Sequence, residues 1–330
     1  MDRLMNRQSL RALIVAAVTA GLMPVYAAKA QGNYPTKPVQ MITPAAAGNG
    51  PDVVARIVAD QLTRLWNEQV LVINRAGGSG LLAANAAAAA APDGYTLYAS
   101  NTSSVVVLPY TQKLSFDFEK TFRAIGIFGE QPLVVAVAPS LGVNSLGELI
   151  GMAKKNPGGI NFAATTRESL PRYTMELILM QSGASMTYVF YSGTSQALSD
   201  VIGGRLSVVV DGYAAMAGAI ASGAIKPIAV TSEKRLAEHP AVPTVAETLP
   251  NFAVNAWFPL LAPAKTPDSI VQKISGDLRS LAGRAEVKDK LGALGAYTRA
   301  MTPDELEAYM AAERVKWLPA IKKVAAMPDK

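Results

Sequence analysis

The chain has 330 residues, half of them apolar and 17% charged, with a net charge of +6, no Cys and a single His. That composition belongs to a globular protein with ample material for a core, and it excludes thiol catalysis and Cys-ligated metal sites. His239 sits in the polar turn Glu238-His239-Pro240 and no Gly-x-Ser-x-Gly elbow occurs, so triad hydrolase and zinc chemistry find no support.

The N-terminus reads as an export segment over residues 1–30. Arg3, Arg7 and Arg11 precede the apolar run Ala12–Val25, and Ala28-Lys29-Ala30 offers small residues for cleavage near Ala30. The segment holds Arg3, Arg7, Arg11 and Lys29 against Asp2, a net +3 of the +6, which leaves a mature chain of +3. No later apolar run reaches the ~18 residues of a membrane span. The expectation is a periplasmic protein, with a charge too mild and too dispersed for nucleic acid but suited to drawing in an anionic solute.

Strands and helices then alternate. Val39–Thr43 reads as a strand, Ala45–Pro51 as a small-residue loop, and Asp52 as the cap of a helix with Val54, Ile57, Val58, Leu62 and Leu65 on one face. Val70–Ile73 is a strand, Asn74–Gly80 a Gly-rich loop, and a helix follows from Leu81. Tyr95–Ser100 is the third strand, and this βαβαβ order implies parallel pairing with helices on the faces. A second unit starts at the strand-like run Leu133–Ala138. Ser145-Leu146-Gly147-Glu148 forms a capping box. Strands at Ile160–Ala164, Thr187–Tyr191, Leu206–Val210 and Ile225–Thr231 alternate with helices at Arg172–Gln181, Ser195–Ile202 and Ala214–Ala221. Ala256–Ala262 is a further strand. Helices start at Thr266-Pro267 and at Thr302-Pro303-Asp304-Glu305. So many strands suit two sheets, with a ligand crevice at the strand ends.

Four loops could carry binding chemistry. Ala45–Asp52 combines small residues with a helix N-terminus that favours an anion; a plain turn remains open. Asn74–Gly80 mimics a dinucleotide fingerprint through Gly78, Gly80 and Ala83. The acid expected ~20 residues on is missing, however, since Tyr98 stands there without one, and this reading falls. Thr165–Pro171 holds hydroxyls and Arg167, which could clamp a carboxylate or pair with Glu168 on the surface. Tyr191–Ser195 is hydroxyl-rich, and Asp211 could cap a helix or meet a ligand. Such neutral, small-residue loops bind without needing a base or a nucleophile.

The residues resemble the periplasmic solute-binding proteins of tripartite tricarboxylate transporters, the Bug/TctC type, from Tyr34 to about Val324. The resemblance rests on Tyr34-Pro35-Thr36-Lys37-Pro38-Val39, on Asn74-Arg75, on Ala91-Pro92-Asp93-Gly94-Tyr95-Thr96-Leu97 and on Tyr191-Ser192-Gly193. Further along it rests on Ile202-Gly203-Gly204, Ala229-Val230-Thr231-Ser232, Val242-Pro243-Thr244-Val245-Ala246-Glu247 and Trp257-Phe258. It implies an α/β Venus-flytrap fold of two domains, each a mixed sheet flanked by helices. Residues 31–131 with 254–330 would form one domain and 132–253 the other, joined near Gln131–Leu133 and Ala253–Asn255. It also implies a monomeric binding protein, not an enzyme. The protein would need no cofactor or metal and would hand a carboxylate to the membrane components of its transporter. A sensory role or a carboxylate-acting enzyme on a similar scaffold stays open.

The candidate site comprises Ala46, Gly48, Asn49, Asp52, Ser79, Asn101, Thr102, Thr166, Arg167, Ser192, Gly193, Thr194, Asp211 and Tyr213. Against the family pattern, Ala45 replaces a Phe, Ala47 a Pro, Asn49 a Gly and Ser192 a common Lys, while Gly48 and Asp52 match. Loss of the aromatic residue opens space, and Arg167 adds a charge for a second carboxylate. The expected ligand is therefore bulky or aromatic, with a terephthalate-like dicarboxylate the sharpest expectation.

Overall fold

The structure is a computed structural model that describes residues 34–325 except Thr166 and Glu238. The expected export segment lies outside the described residues. In chain order the first elements are β1 (Val39–Thr43), α1 (Gly50–Trp66), β2 (Val70–Asn74), α2 (Leu81–Ala88) and β3 (Thr96–Ala99). Three short helices follow, α3 (Thr102–Val106), α4 (Leu108–Thr111) and α5 (Phe118–Thr121), and then the long strand β4 (Phe122–Val137). The middle of the chain forms α6 (Leu146–Lys155), β5 (Asn161–Thr165), α7 (Leu170–Ser182), β6 (Thr187–Tyr191) and α8 (Thr194–Ile202). It ends with β7 (Val208–Gly212), α9 (Tyr213–Ala221) and β8 (Lys226–Val230). β9 (Asn255–Pro263), α10 (Asp268–Gly283), α11 (Ala285–Gly292) and α12 (Pro303–Ala325) complete the order. Among the described residues, no helix is long and apolar enough to cross a membrane.

The strands hydrogen-bond in the order β2-β1-β3-β9-β4-β7-β5-β6, with β8 also on β4. β1 pairs in parallel with β2 and β3, as the βαβαβ pattern requires, and β5 does so with β6 and β7. The remaining pairings are antiparallel, so both sheets are mixed. β4 belongs to both. Phe122–Pro132 pairs with β9, and Leu133–Val137 pairs with β7 and β8. The sequence reading began this strand at Leu133, eleven residues late. Gly126, Gly129 and Pro132 break its apolar run. The glycines fall where the register with β9 shifts, which is the positional use of glycine in a bulged strand. The short helices α3–α5 and the eight-residue α11 were also not anticipated, because each is too short to show a helical period.

Capping explains several boundaries. Thr302 accepts the Glu305 N–H at 3.3 Å while the Glu305 carboxylate accepts the Thr302 N–H at 2.8 Å, so the expected box opens α12. At α6, Ser145 accepts the Glu148 N–H at 3.2 Å, but Glu148 reaches back one residue further, to the Asn144 N–H at 2.6 Å. α1 differs from expectation. Its N-cap is Asn49, and Asp52 lies inside the first turn. The apolar face of α1, Val54, Val58 and Leu62, is buried as the periodicity predicts, whereas Leu65 stays exposed. α12 is fixed to β9 through the buried Glu313, whose carboxylate accepts from Trp257 Nε1 at 3.2 Å and Trp317 Nε1 at 3.1 Å.

The chain passes between the sheets along β4 and again before β9, and one threonine ties both passages. The buried Thr231 hydroxyl accepts the Leu133 N–H at 2.8 Å and donates to the Val254 carbonyl at 2.6 Å. Thr231 N–H and C=O bond the same two residues, at 2.9 Å to Leu133 O and 2.8 Å from Val254 N. Thr231→Val keeps the shape and deletes the hydroxyl, leaving a buried N–H and a buried C=O without a partner. It should lower the unfolding free energy by about 2–3 kcal/mol, read from the urea midpoint at unchanged slope.

Candidate functional site

A cavity of about 390 Å³ opens where the loops after β1, β2, β3, β5 and β6 converge, with β4, β7 and β9 as its floor. Eight of the fourteen expected site residues line it: Ala46, Asn49, Ser79, Asn101, Thr102, Arg167, Ser192 and Asp211. Thr166 lies outside the described residues. Gly48, Asp52, Gly193, Thr194 and Tyr213 stand behind the lining, each for a physical reason.

Asp52 is buried, and its carboxylate is consumed by the protein. It accepts the Gly48 N–H at 2.9 Å, Asn74 Nδ2 at 2.7 Å and Arg56 Nε at 3.0 Å. Asn74 Nδ2 also donates to the Ala45 carbonyl at 2.9 Å, and Arg56 donates to Asn74 Oδ1 at 2.7 Å. This cluster clamps the β1 loop to the end of β2, with Gly48 at a φ of 82° that suits glycine. Asp52 is thus a loop anchor rather than a ligand contact. Tyr213 is buried against His239, with ring centroids 4.7 Å apart and its hydroxyl on His239 Nε2, so neither faces the cavity. Gly193 is the N-cap of α8 and faces Ala46 and Asn49 across the loop contact.

The lining residues differ in what they can offer. The Thr102 hydroxyl donates to the Trp257 carbonyl at 2.9 Å and accepts its N–H at 2.8 Å, which holds the β3–α3 corner to β9. Asn101 caps α3 by accepting the Ser104 N–H at 2.9 Å. Ser79 donates to Glu168, and Gln112 Nε2 reaches the same carboxylate at 3.2 Å. Ser103 accepts the Leu170 N–H at 2.8 Å. Asn49 Oδ1 accepts the Thr194 N–H at 3.2 Å. The bonds of Ser79, Gln112, Ser103 and Asn49 join loops of the first sheet to loops of the second around the cavity. Asp211 lies at the end of β7, and Gly212, extended at φ −64° and ψ 143°, is the cap of α9, so Asp211 is no helix cap. Burial pushes its pKa up, against lowering contacts from Thr194 and the Gly212 N–H.

The sequence reading missed Gln131. It is buried on β4, it lines the cavity, and its Oε1 has no hydrogen-bond partner among the described residues. Its amide lies between Gly50 and Gly212; a Cβ at either would come within 2.1 Å or 2.0 Å of Nε2. A glutamine inside an unanticipated stretch of strand carried no local signal, although the two glycines facing it did. Phe190 and Phe258 give the cavity apolar walls. Phe190 is half-exposed, and Phe258 is buried against Phe128. No group of three or more His, Cys, Asp or Glu residues suited to a metal occurs among the described residues.

The chain matches the family described as tripartite tricarboxylate transporter family receptor, TctC, over residues 54–326. It is 31% identical to protein BugT of Bordetella pertussis over 326 residues, covering 98% of this chain and 99% of that one. Among solved structures it is similar to Rpa4515 of R. palustris with adipate, at a TM-score of 0.85 and 27% identity over 88% of this chain and 98% of that one. It is also similar to the periplasmic binding protein BugD, at 0.82 and 28% over 88% and 98%. The third is MatC of Rhodopseudomonas palustris with bound malate, at 0.81 and 26% over 87% and 100%. The α/β architecture of two mixed sheets, the cleft between their loops and a family match over most of the chain agree, and the chain belongs to the TctC family of tripartite tricarboxylate transporter receptors.

Proposed function

We propose that this chain is a periplasmic solute-binding receptor. It captures a bulky or aromatic carboxylate, terephthalate-like in its sharpest form, and presents it to the membrane components of a tripartite tricarboxylate-type transporter. In this reading the lobes are residues 31–131 with 254–330, and 132–253, and residues 1–30 are removed on export. The change of partners of β4 at Pro132–Leu133 supports the first division, and the Thr231–Val254 tie supports the second.

The observation that carries the reading is the chemistry of the lining. Hydroxyl, amide and glycine-rich loop residues surround the cavity, Arg167 is the cation on its wall, and Phe190 and Phe258 bound it with apolar surface. A few convergent polar groups in an otherwise apolar cavity of this size are what a small-molecule site requires. The adipate of Rpa4515 and the malate of MatC are dicarboxylates, which fits a guanidinium placed for a second carboxylate. Ala45, where an aromatic residue is expected, lies on the wall and leaves room for a ring.

Calorimetric titration of the purified protein tests the class. Terephthalate or another aromatic carboxylate should bind; no heat with these and tight binding of citrate or glutamate would overturn the aromatic assignment. Arg167→Ala should weaken dicarboxylates by about 10- to 100-fold while changing matched monocarboxylates by less than about threefold, the cost of one charge-assisted pair. An equal loss for both would remove Arg167 from the second-carboxylate role.

Gly212→Ala tests the floor. Its methyl would expel the Gln131 amide from between the glycines, and that amide is the movable end of a flexible side chain. Affinity should fall about tenfold, the worth of one hydrogen bond to a charged ligand. The melting temperature should change little.

A further inference from the structure

Asn49 is the N-cap of α1, yet its side chain makes no bond to its own helix. A capping asparagine ordinarily accepts an N–H of the first turn. Here Oδ1 is turned to the other sheet, where it accepts the Thr194 N–H at 3.2 Å and lies 3.0 Å from Thr194 Oγ1. The backbone donor fixes the amide orientation, because the flipped amide would set Nδ2 against an N–H.

Thr194 Oγ1 also contacts the Asp211 carboxylate. All three residues are buried. A hydroxyl carries one proton, and it cannot donate to Asn49 Oδ1 and to an ionised Asp211 together. An ionised Asp211 would leave two acceptor oxygens facing each other in a buried site, a costly arrangement. The contacts close if Asp211 keeps its proton and donates it to Thr194 Oγ1, which then donates to Asn49 Oδ1, while Gly212 N–H donates to the other Asp211 oxygen at 2.7 Å.

We propose that a proton is a co-ligand of this receptor: Asp211 takes it up as the loops close, and the relay Asp211–Thr194–Asn49 locks the β1 loop onto α8. The proposal rests on the carboxylate-receptor reading and accounts for how an anion enters a cavity that contains an acid. A neutral Asp211 donates and does not repel. When the loops part, Asn49 leaves Thr194, whose hydroxyl then donates to an ionised Asp211.

The charged groups around Asp211 leave this assignment intact. On β4, Glu130 is held 3.7 Å from Arg299, and Asp211's own register partner is Val134. On α8, Asp200 is taken by Tyr191 and Arg205. In the β1 loop and α1, Asp52 and Arg56 bind each other. From the β5 loop and α7, Glu168 is engaged by Ser79 and Gln112, Arg172 stacks on Tyr188 at 4.6 Å, and Arg167 lines the same cavity. Burial raises the Asp211 pKa against the lowering contacts of Thr194 and the Gly212 N–H.

The sign of the pH dependence follows. The closed form has the higher pKa, so affinity is full below the open-form titration point. It then falls by up to tenfold per pH unit and levels off above the closed-form point. Calorimetry with terephthalate and with adipate, each in buffers of different ionisation enthalpy, should show uptake of about one proton per carboxylate bound. Asn49→Gly should abolish the uptake and weaken binding at low pH. Asp211→Asn, whose amide can donate to Thr194 as the acid does, should lose both proton uptake and pH dependence. The Asp211 carboxyl carbon, followed by NMR in the purified protein, should titrate higher with terephthalate or adipate bound than without, and Asn49→Gly should remove that difference. Binding without proton uptake would overturn the relay and leave the receptor reading standing. Absence of binding by every carboxylate would overturn the receptor reading, and an Asp211 that titrates at the same pH with and without a bound carboxylate would overturn the relay alone.

Discussion

One strand belongs to two sheets, and the architecture follows from that constraint. Phe122–Pro132 of β4 is hydrogen-bonded to β9, and Leu133–Val137 to β7 and β8, with no loop between. The strand therefore carries the chain from one sheet to the other without interruption. Thr231 binds the second passage to the first at this point, through Leu133 on one side and Val254 on the other. Gln131 sits beside the crossing and faces the cavity. The part of the chain that relates the two sheets is therefore also the floor of the site, and a change in angle between the sheets is felt directly by whatever lies on that floor.

The loops around the cavity are held by local hydrogen bonds. The β1 loop contains Ala45, Ala46, Ala47 and Gly48, residues with no side chain able to hold it. Its shape is imposed from behind by the buried Asp52, by Asn74 at the end of β2 and by Arg56 on α1. A buried carboxylate is tolerable when its oxygens are saturated by donors and a cation, and here both conditions hold. The β3 corner is held in the same way by Thr102 on the backbone of Trp257. In the β1 loop small residues face the cavity, and the Asp52 cluster that shapes the loop lies behind them.

This division explains what could be read from the sequence. Periodicity located α1 and α10, each of which buries a face at helical spacing, the capping signature located the start of α12, and unbroken apolar runs located most strands. Periodicity missed the first half of β4, where glycines and a proline that serve bulges and the crossing resemble loop residues. Small residues ahead of helices located loops that line the cavity, and eight of the fourteen named positions lie on it. The signal does not separate a residue that lines a loop from one that supports it. Asp52, Thr194 and Tyr213 have the composition of ligand contacts, and only the distances show that their polar atoms are taken. Gln131 had the opposite fate, since its importance comes from Gly50 and Gly212, distant in sequence, which leave space for its amide.

The glycines at 50 and 212 carry the last step. Neither has a positive φ, so backbone conformation does not require them. What requires them is volume: the Gln131 amide passes between the start of α1 and the end of β7, and those two elements come from opposite sides of the cleft. The Gln131 side chain is thus bracketed by elements of both sheets. The same two elements carry Asn49 and Asp211, one residue before each glycine, so the amide and the polar contacts of Thr194 reach their positions together. At this point the contacts between the two sheets are made by glycine, threonine and amide residues, and the buried polar groups find their partners at the separation those residues set.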